Sequence, residues 1–480
     1  MKTPILGGYE TTLSSNASDN RLINLFPEVT PEGAEAGYLL RCSGLLTEFG
    51  SSEGSGNIRG MYVCNGFLFV VYGNELHKIW GSDYSYVIPG TIPGTGLVSM
   101  VSNNVQIVIG TGNEMFVYNT GSDVFEQITD PDFFGAGAFV YMAQRFVFNR
   151  PGTQQIYATN ILADDGSTSI TISSLDLAYA DLAADKTVTV AANHNELWVF
   201  GEKSTEVWYN AGTEGFPFAP ISGGFSEIGC LAKNSVVVMD NSLIWLGVDK
   251  NGEGCVYQAR GYSPQKISTP SIDYKIQREI DKSNAVAYGY QKNGHEFYVI
   301  SLPNTDETWV YDITTKIWHQ RGYFENGEFK RHLGHCCVVF GGKVLIGSYL
   351  TRQVYSYDDS VYTEGGRTQK WVRSWRACSR EKLNGKRYLH RSLLINCETG
   401  VGLESGQGSS PLMMLRYSDD GGHTWRETEP TSMGEVGEYG TRVKWWGLGA
   451  SRDRIYEISG TDPVKIAIIG AELQVQAGYG

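Results

Sequence analysis

The chain has 480 residues, of which 58 are glycine and 12% are aromatic, and its formal net charge is −13. Many glycines among short aromatic stretches favour an all-β protein with frequent turns. The acidic balance argues against a sequence-independent nucleic-acid binder, because such a protein must neutralise phosphates with lysine and arginine. The start, MKTPILGGYE, has no signal-peptide run, and no segment is apolar enough to span a bilayer. Eight scattered cysteines without a Cys-x-x-Cys pair favour free thiols and synthesis in a reducing cytoplasm.

Residues 1–55 are predicted to form an N-terminal arm. Its one apolar core is RLINLFPE at 21–28. This core predicts a single strand that stops at Pro27, because proline cannot donate to a strand ladder. We expect the arm to lie against the first repeat that follows it.

Residues 56–366 contain a degenerate repeat. An apolar residue followed by an aromatic one recurs seven times, at Ile79-Trp80, Val117-Tyr118, Ile156-Tyr157, Val207-Trp208, Val256-Tyr257, Val310-Tyr311 and Val354-Tyr355. Successive aromatic residues are 38 to 54 positions apart, a period typical of propellers. Each repeat reads as three apolar strands separated by turns. The sequence therefore predicts a β-propeller of about seven degenerate blades.

The sequence predicts two turns in this region in detail. Asn65-Gly66 suits the positive φ angles of a two-residue hairpin in the first blade. Residues 305–320, TDETWVYDITTKIWHQ, predict a strand, a polar turn at 312–315 and a returning strand that ends at Trp318.

The period ends near Gly365-Gly366, and residues 367–480 are a different β unit. Apolar alternation predicts strands at 369–377, 388–396, 412–417, 442–446, 454–458 and 464–475. Such strands suit a sandwich or jelly roll. The predicted fold is therefore all-β, a propeller followed by a C-terminal β-sandwich.

One hairpin in this unit has the Asp-box pattern, carried by Ser418, Asp420, Gly422, Thr424 and Trp425. The Ser and Asp side chains can bond turn amides, the glycine permits a positive φ, and the Trp anchors the returning strand. Sialidases are propellers with such boxes, but theirs lie inside the blades and accompany an arginine cluster and a nucleophilic tyrosine. We therefore expect a structural hairpin here.

No residue can be assigned to catalysis, to cofactor binding or to a metal. Residues 331–337, RHLGHCC, hold zinc-ligand types, but no second ligand pair stands out at a suitable spacing. We expect this stretch to be a loop leading into a buried strand. The sequence thus predicts a protein that is not an enzyme and needs no cofactor.

A basic stretch interrupts the acidic pattern after residue 366. On a strand, Arg373 would share one face with Trp371 and Trp375. One interpretation is a docking surface for an acidic partner or for DNA passing nearby; the other is a solvated or propeller-facing side of the sandwich. The candidate docking residues are Arg367, Lys370, Arg373, Arg376 and Arg380.

Short motifs at both ends carry a family resemblance. At the N-terminus they are LGGY at 6–9, SNA at 15–17, RLINLFPE at 21–28 and SGL at 43–45. At the C-terminus they are residues 417–425, GEYG at 437–440, SRDRIY at 451–456 and DPVKIA at 462–467. These stretches resemble the packaged-DNA stabilisation proteins, the tail hub proteins of short-tailed bacteriophages. One departure is Cys42-Ser43, where related chains tend to carry Thr-Pro.

The resemblance implies a virion structural protein of the phage tail, synthesised in the host cytoplasm. Several copies would assemble below the portal and adaptor ring as a homo-oligomeric ring, with a hexamer as one arrangement. They would help retain packaged DNA, which passes through the channel without sequence-specific binding. They would also anchor the needle or tip and the tailspikes or fibres, with no membrane partner. The alternatives are a carbohydrate- or host-surface-binding propeller and, less favoured, a sialidase-like glycan-cleaving enzyme.

Overall fold

The computed structural model describes residues 1–11, 19–30, 37–51, 56–163, 165–249, 251–377 and 386–477. Short apolar strands joined by tight turns form a series of antiparallel four-stranded sheets, and the innermost strands of these sheets together line one axial cavity. Buried apolar clusters fill the space between neighbouring sheets. This arrangement is a β-propeller, as the sequence predicts.

Six blades are built from consecutive strands of the chain. From the axis outwards, blade one contains Ile58–Cys64, Phe67–Tyr72, Glu75–Trp80 and Ser85–Thr91, and blade two contains Ser99–Ser102, Gln106–Gly110, Met115–Asn119 and Val124–Ile128. Blade three contains Phe139–Met142, Arg145–Asn149, Gln155–Thr159 and Ile172–Tyr179, and blade four contains Thr187–Asn193, Glu196–Gly201, Thr205–Asn210 and Phe218–Ser226. Blade five contains Val237–Met239, Ser242–Val248, Gly254–Arg260 and Ser263–Lys266, with Gly229–Cys230 beside Ser242–Val248, and blade six contains Val286–Lys292, His295–Leu302, Glu307–Asp312 and Ile317–Glu325.

A seventh sheet closes the ring and is composite. Its inner strands are Gly334–Phe340, Lys343–Ser348 and Arg352–Asp358, and its outer strand is Gly44–Ser51 from the N-terminal region. The short strands Thr363–Glu364 and Arg367–Thr368 extend the same sheet. The N-terminal region therefore closes the ring through the seventh blade. It also lies against the first blade, as expected, because Phe49 packs on Tyr84 with 4.3 Å between the ring centroids.

The seven apolar–aromatic doublets occupy equivalent positions, because each lies in the third strand from the axis. The predicted fold class is confirmed. The count of about seven blades is close, since six blades are built from consecutive strands and a composite sheet completes the ring. The repeat unit predicted from the sequence has three strands, so the prediction lacks the fourth, outermost strand of each blade. In Val124–Ile128, for example, three of the five residues are exposed, so no continuous apolar run marks the strand. In the third blade the fourth strand, Ile172–Tyr179, has one buried residue among eight, so it too lacks an apolar run.

Both turns that the sequence describes in detail form. Asn65 and Gly66 have φ angles of 49° and 76° between the first two strands of blade one. In the hairpin of residues 305–320, Asp312 pairs with Ile317, and its side chain accepts hydrogen bonds from Thr314 N (3.0 Å) and Thr315 Oγ1 (2.7 Å). The returning strand continues past Trp318 to Glu325.

In the part of the chain that the structure describes, helical structure is limited to one α-helix, Pro270–Gln277, and the 3-10 turns Lys233–Ser235 and Lys282–Asn284. The α-helix begins at Pro270, whose fixed φ and missing N–H suit a first helical position, and Thr269 caps it. No helix in the described ranges has the length and apolar character needed to cross a membrane.

The C-terminal part is a two-layer β-sandwich. One layer contains Leu22–Ile23, Trp371–Arg376, Ile455–Gly460, Leu412–Ser418 and Arg426–Glu427, with Thr431–Ser432 at its side. The other contains Val443–Trp446, Tyr388–Cys397, Ala467–Ala477, Gly37–Arg41 and Leu25–Val29, with Lys2–Thr3 and Ala450–Ser451 alongside. The six strands predicted after residue 367 all have counterparts here. Their apolar faces share one core with side chains of blades five and six.

The N-terminal core contains two strands, so the prediction of one strand that stops at Pro27 is wrong. Leu22–Ile23 and Leu25–Val29 belong to different sandwich layers, and Pro27 pairs with Leu39 inside the second of them. Proline is accepted because Leu25–Val29 is an edge strand, which has no further strand to which Pro27 would have to donate. The N-terminal arm supplies strands to both parts, and the domain limits at residues 55 and 366 stay a prediction.

Small pairings complete the described structure. Glu10–Thr11 pairs with Asp19–Asn20, and Glu328–Arg331 folds back on Ile317–Glu325.

Candidate functional site at the propeller–sandwich junction

Asn24 lies where the propeller and the sandwich become one sheet. Ile23 pairs with Gln320 of blade six on one side and with Val372 of the sandwich on the other. The next residue, Asn24, has a φ of 54° and is fully buried. It turns the chain from one sandwich layer to the other, and asparagine tolerates this left-handed conformation better than most side chains.

The Asn24 amide group bonds both parts of the molecule. Its Nδ2 donates to Gly322 O of blade six (2.8 Å) and to Lys370 O of the sandwich (2.7 Å). Its Oδ1 accepts from Gly322 N (3.0 Å). One buried side chain therefore satisfies three backbone groups that would otherwise lie unpaired at the seam.

Arg41 makes a second buried link. It is 2% exposed, and its guanidinium donates to the carbonyl oxygens of Asp462 (2.5 Å), Val464 (2.8 Å) and Tyr362 (3.3 Å), and also to Gln369 O. Burial lowers the pKa of Arg41 to about 9. The strand Gly37–Arg41 is thus tied to the connection between the two parts and to the C-terminal strands.

Arg373 also lies inside the junction. It is 1% exposed, and so is its neighbour Trp371, while Trp375 is fully buried. Arg373 Nε donates to Ile5 O (2.6 Å), and Trp375 Nε1 donates to Thr3 Oγ1 (2.9 Å). Burial lowers the pKa of Arg373 to about 9. The docking role suggested for Arg373 is wrong in this fold, because N-terminal residues cover the face that it shares with the two tryptophans.

Three of the other candidate docking residues have aromatic or acidic neighbours. Arg367 lies over the Tyr323 ring (5.4 Å to the centroid), and Lys370 lies over the Phe324 ring (4.6 Å). Arg376 forms an ion pair with Asp453. Arg380 lies outside the described residues.

His295 clamps the N-terminal edge strand to blade six. Its Nδ1 lies 2.8 Å from Asp312 Oδ2, and its Nε2 lies 2.9 Å from Glu28 Oε2. The bond to Asp312, reinforced by the bond to Glu28, raises the pKa of His295 to about 9 against the desolvation of a ring that is 4% exposed. At neutral pH the imidazolium therefore bridges two carboxylates on different elements.

The Asp-box residues lie together in the turn after Leu412–Ser418. Asp420 accepts from Thr424 N (2.9 Å) and Ser418 Oγ (2.7 Å), and Trp425 Nε1 donates to Gly422 O (3.0 Å). The hydrogen bonds from Thr424 and Ser418 hold the pKa of Asp420 well below its usual range. These contacts are internal to the hairpin, and they use the side chains that a reactive site would need free.

The two histidines in residues 331–337, which are potential zinc ligands, bond to different partners. His332 is fully buried against Glu364 and bonds Tyr357 OH through Nε2 (2.9 Å), whereas His335 Nε2 bonds Ile58 O (2.7 Å). Burial lowers the pKa of His335 to about 4. Within the described ranges, no group of three or more His, Cys, Asp or Glu side chains is placed to hold a metal ion.

The axial cavity of the propeller has a volume of about 410 Å³. No Asp or Glu occurs among the described residues that line it, and its basic groups are Arg59, Lys233 and His335. Arg59 is used internally, donating to Gly96 O (2.6 Å) and Ile92 O (2.7 Å) among other carbonyls. Glycoside hydrolysis usually needs a carboxylate pair, which the described lining does not offer.

Reasoning from the sequence missed Asn24, Arg41 and His295 as junction residues. A usable signal was present for Asn24, a single amide within the apolar run Leu22-Ile23-Asn24-Leu25-Phe26. A lone polar residue in such a run must find partners or leave the core. Arg41 and His295 carry no comparable local signal. The Arg41 partners lie more than 300 positions away, and the bond that makes His295 a junction residue is to Glu28, 267 positions away.

Two family models match the chain. Residues 1–362 match "Bacteriophage P22 Gp10, beta-propeller", and residues 376–476 match "Bacteriophage P22 Gp10, beta-sandwich". The two matches follow the order of the two structural parts and leave only short stretches unmatched. They describe a structural protein of the phage virion tail.

Similarity to solved structures is weaker. The designed protein Ika8 is 11% identical (66% of this chain and 100% of that chain covered, TM-score 0.38), and the Neurospora crassa Pan2 WD40 domain is 7% identical (66% and 95%, TM-score 0.40). The N-terminal domain of Nup159 is 9% identical (70% and 99%, TM-score 0.40). No curated protein matches the chain. With matches to both of its family models, the chain belongs to the bacteriophage P22 Gp10 family.

Proposed function

We propose that this protein is the hub of a short phage tail. Several copies join the virion after DNA packaging as a closed ring below the portal and adaptor ring, extend the channel and help to retain the packaged DNA. The observation that carries the proposal is the continuous sheet from blade six through Leu22–Ile23 into the sandwich. A plug that resists DNA pressure needs its parts joined firmly, and this sheet provides such a joint.

The hub also serves as an attachment point for the needle or tip and for tailspikes or fibres. The outer strands of the blades support this role, since they present apolar side chains to solvent. On the outer strand of blade one, Tyr86, Val87 and Ile88 are 57%, 48% and 49% exposed. Contiguous exposed apolar side chains commonly mark protein-binding surfaces.

DNA passes through the assembled channel without sequence-specific contacts in this proposal. The formal net charge of −13 supports it, because an acidic protein attracts phosphates weakly. The role is structural and not catalytic. Turnover of a fluorogenic glycoside by the purified protein would contradict that part of the proposal.

Reconstitution tests the hub directly. Purified protein mixed with isolated portal–adaptor complexes should add a closed ring to their lower face in negative-stain class averages. The symmetry of the averages gives the copy number, for which we expect six. Portal complexes that gain no density, at protein concentrations well above those in an infected cell, would contradict the proposal.

Arg367 and Lys370 remain the candidates for docking, since both are partly exposed. We expect the double charge reversal Arg367→Glu and Lys370→Glu to weaken ring addition while the protein stays folded. The matched control reverses Lys465, a surface lysine on the sandwich that pairs with Glu398. Equal ring addition by both variants would remove Arg367 and Lys370 from the docking surface.

A further inference from the structure

A small cavity lies between blade six and the N-terminal region, away from the propeller axis. Its volume is about 20 Å³, and its wall includes Cys42 and Ser43 as well as Tyr290, His319 and Arg321 of blade six. A cavity needs roughly 10–15 Å³ measured in this way to hold one water-sized ligand. This space therefore admits a single small ligand and excludes polyatomic ions such as phosphate.

Two buried polar atoms on this wall have no hydrogen-bond partner. They are Arg321 Nε and His319 Nδ1, on residues that are 2% and 1% exposed. The other guanidinium nitrogens of Arg321 are occupied, since Nη1 donates to Tyr290 OH (3.2 Å) and Nη2 donates to Ser43 O. A buried donor left unpaired costs roughly 1–3 kcal/mol, and more when it is charged. Two such atoms at one cavity point to a site for a ligand that accepts hydrogen bonds from both.

A ligand in this cavity must be able to bind beside the positively charged Arg321. Arg321 carries a permanent charge and can only donate hydrogen bonds. Among the described residues, no carboxylate lies within ion-pair distance of Arg321, and no carboxylate lines the cavity; the buried Glu364, held by His332, acts on the Arg321 charge from farther away. Tyr357, whose ring lies 4.4 Å from the guanidinium carbon, offsets its charge only in part. Buried charges are normally paired, so a negative ligand fits better than a neutral one.

We propose that this cavity binds one monatomic anion of the halide class, held between Arg321 Nε and His319 Nδ1. His319 can serve as a neutral donor, because burial lowers its pKa to about 3. In the tautomer protonated at Nδ1 it donates without adding charge. Arg321 and His319 both belong to one strand of blade six, and the anion lies beside the turn at Cys42-Ser43, where the N-terminal region crosses the propeller. The site does not depend on the proposed hub function.

A bromide soak of crystals of the full chain tests the site. With data collected at the bromine absorption edge, we expect an anomalous peak in contact with both Arg321 Nε and His319 Nδ1. Ordinary water density at that position, with no anomalous signal, would overturn the proposal. Ring assembly on portal complexes is not part of this measurement, so its result is independent of the hub proposal.

Thermal unfolding gives a second measurement in solution. Because each tenfold increase in ligand above its Kd adds a fixed increment of stability, the Tm should rise by roughly 1–2 °C per tenfold increase in sodium bromide, at ionic strength held constant with a bulky organic salt. His319→Phe should remove this dependence, and the same replacement at the exposed His194 should keep it. Equal dependence in all three proteins would contradict the proposal. The crystallographic result decides if His319→Phe does not fold.

Discussion

The N-terminal region makes two joints of different kinds. At the seventh blade, Gly44–Ser51 pairs with Arg352–Asp358 along its whole length, mostly through main-chain hydrogen bonds. Its main side-chain contact is at Glu48, which is 6% exposed and accepts from the exposed Lys343 Nζ (2.7 Å), from Tyr84 OH (2.8 Å) and from Ser356 Oγ (2.6 Å). At the propeller–sandwich junction the pairing is short, and buried polar side chains make most of the links.

This difference predicts how each joint responds to substitution. Main-chain pairing is available to almost any sequence that can form a strand, so the ring closure should tolerate change. The junction relies on side chains that satisfy named backbone groups inside the core, where an unpaired group is costly. The predictions below test this contrast, from the largest expected effect to the smallest.

Charge reversal at Arg373 should have the largest effect. Arg373→Glu would place an unpaired carboxylate in a fully enclosed site and leave Ile5 O without its donor. We expect a loss of more than about 4 kcal/mol in the free energy of unfolding, measured by urea denaturation. Arg367→Glu, a reversal on the same stretch at a partly exposed position, serves as the control and should cost less than about 1 kcal/mol. Similar losses for both would show that Arg373 is not enclosed.

Substitutions at Asn24 should separate the contribution of its side-chain hydrogen bonds from that of its backbone conformation. Asn24→Gly removes the bonds to Gly322 and Lys370 but keeps the φ of 54°, and should cost about 2–4 kcal/mol in the free energy of unfolding. Asn24→Ala adds backbone strain and should cost about 1 kcal/mol more. Both are measured by urea denaturation. If the glycine variant is as stable as the natural chain, the amide bridge does not hold the junction.

His295 should make stability depend on pH. Its pKa is raised from 6.5 to about 9 in the folded protein, so its contribution is complete below pH 6.5 and is lost as pH rises through about 9. The difference in unfolding free energy between the natural chain and His295→Gln should therefore shrink by about 3 kcal/mol between pH 6 and pH 10. His194→Gln, at an exposed histidine, should show no such trend. A constant difference for His295→Gln would contradict the clamp.

The smallest effect should come from the ring closure. Lys343, whose side chain is 51% exposed, pairs with Glu48 across the seventh blade. Lys343→Ala should cost less than about 1 kcal/mol in the free energy of unfolding, and less again in high salt, because exposed ion pairs contribute little. A loss as large as that of Asn24→Gly would reverse the contrast between the two joints.

The sequence predicts the repeated parts of the fold well and the joints poorly. The doublet Val310-Tyr311 and its six equivalents mark third strands because burial on both faces demands an apolar run. The edge strand Val124–Ile128 escapes detection, since most of its residues face solvent. The prediction for Arg373 was wrong because a strand pattern does not show which face another part of the chain covers, here the N-terminal residues Thr3 and Ile5. Asn24 bonds Gly322, 298 positions away, and His295 bonds Glu28, 267 positions away; the lone polar Asn24 signals that it needs a partner, but no local pattern shows which one.

Native-state hydrogen exchange tests the central claim, that the N-terminal region makes propeller and sandwich one unit. In the natural chain, amides of Ile317–Glu325 in blade six and of Trp371–Arg376 in the sandwich should open with the same free energy. Asn24→Gly should lower protection in both strands equally, while Phe146 and Val147 in blade three keep theirs. If only one of the two strands loses protection, the two parts open separately and the account is wrong.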